Sequence, residues 1–196
     1  RPETLGLPNQ PQLGQAGVVG LDAVYREVQR RTGARHIEDL LRGVAGDRSL
    51  LALRFGGGAD TEAAVKEALQ WLVANQSEDG RWDAEAFGAG HEVRIHGHDR
   101  GGAGAHADTG ISALAILAFL GANHSHLEGD YPETVQHGLE FLLRSQRADG
   151  SFAGQSEFFA AMYCHGLSLL ALSEAYAITG DQRIRPYLER GVEFTV

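Results

Sequence analysis

Apolar residues recur at helical spacing along most of the chain after Thr61, and the resulting stripes are of two kinds. Val65, Leu69 and Leu72 form a narrow stripe, widened by Ala64, Ala68 and Trp71, with polar residues between. This predicts an amphipathic helix ending between Asn75 and Ser77. Its expected N-cap is Thr61 or Asp60, with Glu62 and Glu67 placed early, where negative charge suits the helix dipole. A second amphipathic helix is predicted from about Tyr131 through Val135, Leu139 and Leu142; Pro132 falls in its first turn, where a missing N–H is harmless. Two other segments have no polar face. Ten of the thirteen residues from Gly110 to Ala122 are apolar, and Ala160 to Ala177 is similar around Leu167, Leu169, Leu170, Ala171 and Leu172. Helices that are apolar all round are buried, so these two are expected to be inner helices. Setting Gly110 over Gly166 brings Leu114 over Leu170 and Ala115 over Ala171, which makes them two copies of one element.

Ahead of Thr61 the pattern is weaker. Pro2, Pro8 and Pro11 mark residues 1 to 20 as an irregular arm. Leu21, Val24, Tyr25 and Val28 predict a helix over 21–31, and Ile37, Leu40 and Leu41 a short one from His36 to Val44. Ser49 to Phe55 is expected to be extended, and Gly56-Gly57-Gly58 breaks the chain. The expected division is therefore an N-terminal arm with short helices over 1–58 and helical repeats over 59–196.

Each amphipathic helix, together with the turn at its C-terminal end, carries a repeated motif. Ala68-Leu69-Gln70-Trp71-Leu72 leads to Gln76, Gly80 and Trp82; Gly138-Leu139-Glu140-Phe141-Leu142 leads to Gln146, Gly150 and Phe152 at the same spacings. A third copy begins at Ile184, where Gly191-Val192-Glu193-Phe194 matches Gly138 to Phe141. Helix packing accounts for each motif residue. Asp79-Gly80 and Asp149-Gly150 supply turns, since Gly accepts positive φ. Gln76 and Gln146 sit at a helix end, where an amide can reach a neighbouring helix terminus. Trp82 and Phe152 pin the connection by burying about 150 to 250 Å² each. The unit is an amphipathic outer helix, a glycine turn and a buried inner helix.

These copies resemble the QW repeats of the squalene-hopene and oxidosqualene cyclases, whose α/α toroid is shared with protein prenyltransferase β subunits and complement-type thioester domains. Copy one keeps Gln-x-x-x-Gly-x-Trp and copy two ends in Phe152. The chain is also similar to the bacterial prenyltransferase/squalene-oxidase repeat proteins, and the resemblance covers roughly residues 60 to 196. It implies an all-α fold of stacked helical hairpins of α/α-toroid type. About two and a half hairpins are present, whereas closure takes five to seven in the family. An open stack exposes an apolar edge. The expectation is that further repeats of a longer protein, or another copy of the chain, cover it.

Composition narrows the partners. With 26 acidic and 17 basic residues the net charge is -9, which disfavours nucleic acid and anionic lipid. The longest apolar run, Ile111 to Leu120, is well short of the roughly 20 residues of a membrane span. Cys164 is the only cysteine, so no intrachain disulfide forms. Sixteen of the seventeen basic residues are Arg, the bias of a GC-rich genome. Arg1 in place of a methionine suggests a segment of a longer bacterial protein, with a lean to an extracytoplasmic location.

The resemblance implies chemistry that these residues do not reproduce. Cyclases protonate a polyene with an Asp-rich inner-helix motif, for which the nearest candidate is Asp108 in Asp108-Thr109-Gly110; a lone Asp there also fits a helix N-cap. Prenyltransferases hold zinc with Asp-x-Cys and a distant His. Here Cys164-His165 are adjacent on a helix and point about 100° apart. The Cys-Gly-Glu-Gln of thioester domains is missing. The segment is therefore expected to bind an apolar small molecule or a peptide in its inner-helix concavity without the standard catalytic motifs. Phe158, Phe159, Met162, Tyr163 and His165 would line that pocket with Asp108 and Thr109, and Asp108 and His165 are the catalytic candidates. The alternative is a cyclase or prenyltransferase whose acid or metal residues lie in other repeats. No cofactor is expected unless the insertion between Asp83 and Ala107, with His91, His96, His98, Asp99 and His106, holds zinc.

Overall fold

The computed structural model describes residues 57–91, 94–99 and 101–196. The arm, the two short helices and the extended piece expected before Gly57 lie outside the described residues. The described chain forms five α-helices: α1 (Ala59–Ala74), α2 (Asp108–Gly121), α3 (Pro132–Arg144), α4 (Phe158–Thr179) and α5 (Arg185–Thr195). Helices α1, α3 and α5 are the outer helices and α2 and α4 the inner ones. The architecture is all-α and fits the toroid-type expectation; its one small sheet, β1 (Arg94–Ile95) paired antiparallel with β2 (His98–Asp99), lies in the insertion.

Helix α1 starts two or three residues earlier than its sequence suggests, ahead of both expected caps, Asp60 and Thr61. Gly58 is the N-cap, and Thr61, expected as the cap, sits three residues inside. Its Oγ1 accepts from the Gly58 N–H at 2.8 Å and donates to the Gly58 carbonyl at 2.7 Å. A glycine has no side chain to satisfy the orphan N–H groups of the first turn, so the threonine closes the turn from within.

The motif glutamines carry the stack. Gln76 Nε2 donates to the Gly80 carbonyl of its own turn and to the Thr134 carbonyl in the first turn of α3, both at 3.0 Å. Gln146 Nε2 repeats this, reaching Gly150 at 3.0 Å and Tyr187 in α5 at 2.9 Å. Each amide thus ties the end of one outer helix to the start of the next, as its position predicts. Its turn glycine has the matching geometry. Gly80 has φ +89°, and a Cβ there would stand 2.2 Å from the His137 carbonyl oxygen; Gly150 has φ +94°, and its Cβ would stand 2.3 Å from that of Arg190.

The motif aromatics and small residues interlock across units. Trp82 lies against Gly138, where an added Cβ would meet its ring at 3.0 Å and the Ile116 side chain at 3.1 Å. Phe152 lies against Gly191 in the same way, with Leu169 in the place of Ile116. The small residue that opens each motif is therefore the seat for the aromatic of the preceding motif. Trp82 also donates its indole N–H to the Leu72 carbonyl at 2.8 Å, a bond that Phe152 has no group to make.

Packing revises the unit proposed from sequence. Inner helix α2 packs chiefly on α4 and then on α3, the outer helix that follows it, and α4 packs likewise on α5. The compact pair is an inner helix with the next outer helix. The register of the inner helices shifts as well. Ser112 and His165 each accept the backbone N–H of a motif aromatic, from Trp82 at 2.9 Å and Phe152 at 3.1 Å. Ile116 with Leu169, Gly138 with Gly191, and the N-caps Tyr131 with Ile184 keep the same offset. Under it Gly110 stands over Tyr163, not over Gly166. Helices built largely of Ala and Leu match themselves almost as well after a slip of about one turn, and only the contacts with the outer helices reveal the slip.

The inner helices are not buried all round. Ile111, Leu114 and Ala118 are exposed along one face of α2, and Met162, Tyr163, Gly166 and Leu170 along α4. At the end of the stack remote from the insertion, the buried His126 Nε2 meets Asp181 Oδ2 at 3.0 Å, joining the loop after α2 to the loop after α4. Arg183 and His126 hydrogen bonds keep the Asp181 carboxyl far below the usual carboxylate range, with the Arg183 contribution the larger.

The turn glycines generate a prediction. Gly150→Ala imposes both a strained φ and a contact with backbone that cannot step aside, so its urea-unfolding free energy falls by about 3 kcal/mol or more. Gly121→Ala is helical and meets nothing within 4 Å. It leaves stability unchanged or raises it by up to about 1 kcal/mol in the same titration.

Candidate functional site

The first turns of α2 and α4 run side by side, and the insertion folds across them. It leaves Trp82 through a 3-10 turn, Glu85–Phe87, passes through the β1–β2 hairpin and returns in a second 3-10 turn, Ala103–His106, that leads into α2. The two 3-10 turns are held together by glycine. Gly90 has φ +82°, and a Cβ on it would stand 2.7 to 2.9 Å from Ala105 and the Gly102 carbonyl, so the strands of the loop meet backbone to backbone.

An acidic cluster around one cation anchors the near end of the insertion. Asp108 Oδ1 accepts from the Ala84 N–H at 2.9 Å, and its Oδ2 lies 3.7 Å from Arg81. Arg81 also reaches Asp83 at 3.0 Å and Asp79 at 3.7 Å. The Asp83 carboxyl is held below its usual range, mainly by the Ala86 N–H and in part by Arg81. Asp108 is the first residue of α2, and Ala107 is the N-cap. Both sequence readings of Asp108 change accordingly: it neither caps the helix nor stands free as an acid, and its carboxylate braces the insertion against the helix start.

Between these elements lies an open cavity of about 370 Å³. Ile111 and Leu114 of α2 face Phe159, Tyr163 and Leu167 of α4, and Gly90 and Gly104 belong to the wall that the insertion supplies. Among the described residues that line it none has a charged side chain, and the Tyr163 hydroxyl and the Cys164 thiol are the polar side-chain groups. Cys164 is buried, with Sγ 3.1 Å from Ser156 Oγ, which itself donates to the His106 carbonyl at 2.6 Å. This last bond ties the end of the insertion to the segment before α4.

The residues expected to line a pocket are divided by the structure. Tyr163 lines the cavity and is 76% exposed. Phe159 lines it too, and Met162 is exposed on α4 away from the lining. Phe158 begins α4. Thr109 is buried under Gly154, its carbonyl accepting from Ser168 Oγ at 3.2 Å. His165 departs furthest from expectation. It is 1% exposed on the side of α4 turned toward α5, stacked on Phe152 and edge-on to Phe194. Nδ1 accepts from the Phe152 N–H at 3.1 Å and Nε2 meets Thr195 Oγ1 at 3.0 Å. That partnership fixes a neutral ring with its proton on Nε2. The residue is a packing element of the core.

The insertion places its metal candidates apart. His91, His96, His98, Asp99 and His106 are all exposed, and among the described residues no three His, Cys, Asp or Glu side chains form a group able to hold a metal. Asp99 instead accepts the Gly101 N–H at 2.8 Å, and His96 occupies the hairpin turn with φ +50°. The small residues of the loop shape its wall without any signal in the sequence. Gly90 and Gly104 carry no functional group, so nothing short of the folded contact shows that they shape a wall.

A domain of inner and outer helices stacked through glutamine bridges, with a concavity on the inner helices, defines a cyclase-like helical class. More particularly, the family model of the squalene-hopene cyclase C-terminal domain matches residues 46–164, more than half of the chain, and the chain belongs to that family. No curated protein and no solved structure matches it. Among the described residues no helix is long and apolar enough to cross a membrane.

His165 makes stability depend on pH in a stated direction. Burial lowers its pKa below the ordinary value of about 6.5, with an opposing pull from Asp149. The unfolded chain therefore takes up a proton that the folded chain refuses, and stability is lost as pH falls below about 6.5. In urea titrations between pH 7.5 and 5, about the conditions where histidine titrates, the wild type loses more stability than His165→Gln. Equal slopes for the two proteins would refute the assignment.

Proposed function

We propose that this cyclase-like domain takes up an apolar, uncharged small molecule between α2, α4 and the insertion. One observation carries the reading: a cavity of about 370 Å³ whose lining, among the described residues, is aliphatic, aromatic and small, without a charged side chain. Ligand sites of a few hundred Å³ with mostly apolar walls and few polar groups are the common form of small-molecule pocket. A peptide fits this wall less well, because its backbone amides would be desolvated against side chains that offer them almost no partners. Among the described lining residues Tyr163 supplies the hydroxyl able to orient a ligand, and the residue is 76% exposed.

Catalysis on such a ligand by the cyclase route needs a strong acid at the cavity. Asp108 is committed to Arg81 and the Ala84 N–H and does not line the wall. The domain in this reading is the binding wall, and any acid that acts on the ligand belongs to another segment.

Leu114→Asp tests the wall directly. Leu114 is 48% exposed, so a carboxylate there leaves the helix packing intact. Titration with Nile red, followed by displacement with farnesol, should show binding by the wild type and an affinity lower by on the order of 10-fold or more in the variant, since the ligand would desolvate a charge. Unchanged affinity in a variant of unchanged circular dichroism, or no binding by the wild type, overturns the proposal.

A further inference from the structure

The residues that α2 and α4 give to the cavity differ widely in burial, and the order in which they do so sets a direction within it. Gly110 is buried and Cys164 is 2% exposed, so the bottom lies where the two helices approach each other; a Cβ on Gly110 would stand 3.0 Å from Cys164 Sγ and 3.3 Å from its Cα. Ile111 and Leu114, at 39% and 48% exposure, stand higher on the wall. Among the described lining residues Phe159 and Tyr163, at 67% and 76%, form the rim. The bottom is thus a cleft between two backbones, and the rim a pair of aromatic rings.

Hydrogen-bonding capacity runs in the same direction. Ser156 has a single hydroxyl proton, and it gives that proton to the His106 carbonyl at 2.6 Å. The 3.1 Å contact between Ser156 Oγ and Cys164 Sγ is therefore a bond that the thiol donates. The thiol proton is spent inside the protein, and what Cys164 offers a ligand is a soft, weakly polar sulfur surface. At the rim the Tyr163 hydroxyl bonds to no other described residue and can both donate and accept. A polar group carried down to Cys164 would lose its water and find no side-chain donor there; held at the rim it keeps its water or gains the phenol.

We infer that the ligand is a chain-like molecule, apolar along its length and ending in one uncharged hydrogen-bonding group, as in a long-chain alcohol or methyl ketone. It enters tail first, with the tail against Gly110 and Cys164 and the polar end at Tyr163. Tyr163 is in this arrangement the residue that selects for the polar end, and Cys164 is the stop that limits the length of the tail. The inference rests on the proposed uptake of an apolar molecule; it adds the orientation and the two residues that set specificity.

Displacement of Nile red from the full chain by a series of 1-alkanols and by the matching 2-alkanones tests it. With the wild type, affinity rises about fourfold for each added methylene until the tail reaches Cys164, and then levels off. Tyr163→Phe removes one oxygen from an exposed ring. It weakens both series by about threefold to tenfold and leaves the chain length of the levelling point where it was. Cys164→Ala deepens the bottom by one atom and moves the levelling point to a longer chain, with the dependence on Tyr163 retained. If the alanine variant alters the circular dichroism, Tyr163→Phe decides alone. Failure of every alkanol and alkanone to displace Nile red from the wild type overturns the uptake of apolar molecules itself. Displacement that Tyr163→Phe leaves unchanged, or a levelling point that a folded Cys164→Ala leaves in place, overturns the orientation while the uptake stands.

Discussion

One amide nitrogen in each repeat bonds two carbonyls at once, and the rest of the stack takes its spacing from that. Gln76 and Gln146 each hold the oxygen of their own glycine turn and an oxygen in the first turn of the next outer helix. A partly buried carbonyl left without a donor costs about 1 to 3 kcal/mol, so the bridge fixes where the next helix begins. Once it does, the glycine turn must pass against a backbone oxygen, the motif aromatic must fall on the next small residue, and the inner helix must lie beneath both. Arg190 adds a second tie in the later repeat, donating to Gln146 Oε1 at 3.0 Å.

This chain of dependence explains why the architecture could be read from the residues. Gln, Gly and aromatic at fixed spacing are demands of backbone geometry, and backbone geometry is the same in every copy. The positions of Trp82, Gly138, Phe152 and Gly191 follow from the pattern alone. The inner helices were less legible because their sequence is nearly uniform. Leucine and alanine every three or four residues state that a helix is buried and leave open which face meets which neighbour. The slip from Tyr163 to Gly166 as the partner of Gly110, and the exposed face of Ile111 and Leu114, both come from that ambiguity.

The chemistry was legible only in outline. Histidine and aspartate attract a functional reading wherever they stand near an inner helix, yet their roles depend on which way the side chain leaves the backbone. His165 turns toward α5 and replaces, as acceptor for a backbone N–H, the serine that does the same work in the earlier repeat. Asp108 turns toward Arg81 and Ala84. The two residues that looked most reactive are those most fully occupied by the fold. The cavity is built instead from leucine, isoleucine, aromatic rings and glycine, whose part becomes visible only when α2, α4 and the insertion lie together.

The constant spacing from each inner helix to its following outer helix contrasts with the unequal spacing from each outer helix to its inner one. Ser112 to Gly138 and His165 to Gly191 span the same length of chain, while the connection after Trp82 is much longer than the one after Phe152. The chain thus separates a rigid module from an adjustable one. Length added after a motif aromatic emerges at the mouth of the concavity and leaves every bridge between outer helices in register. A protein built this way can reshape the entrance to its cavity, by lengthening or trimming one loop, without renegotiating the scaffold that holds it.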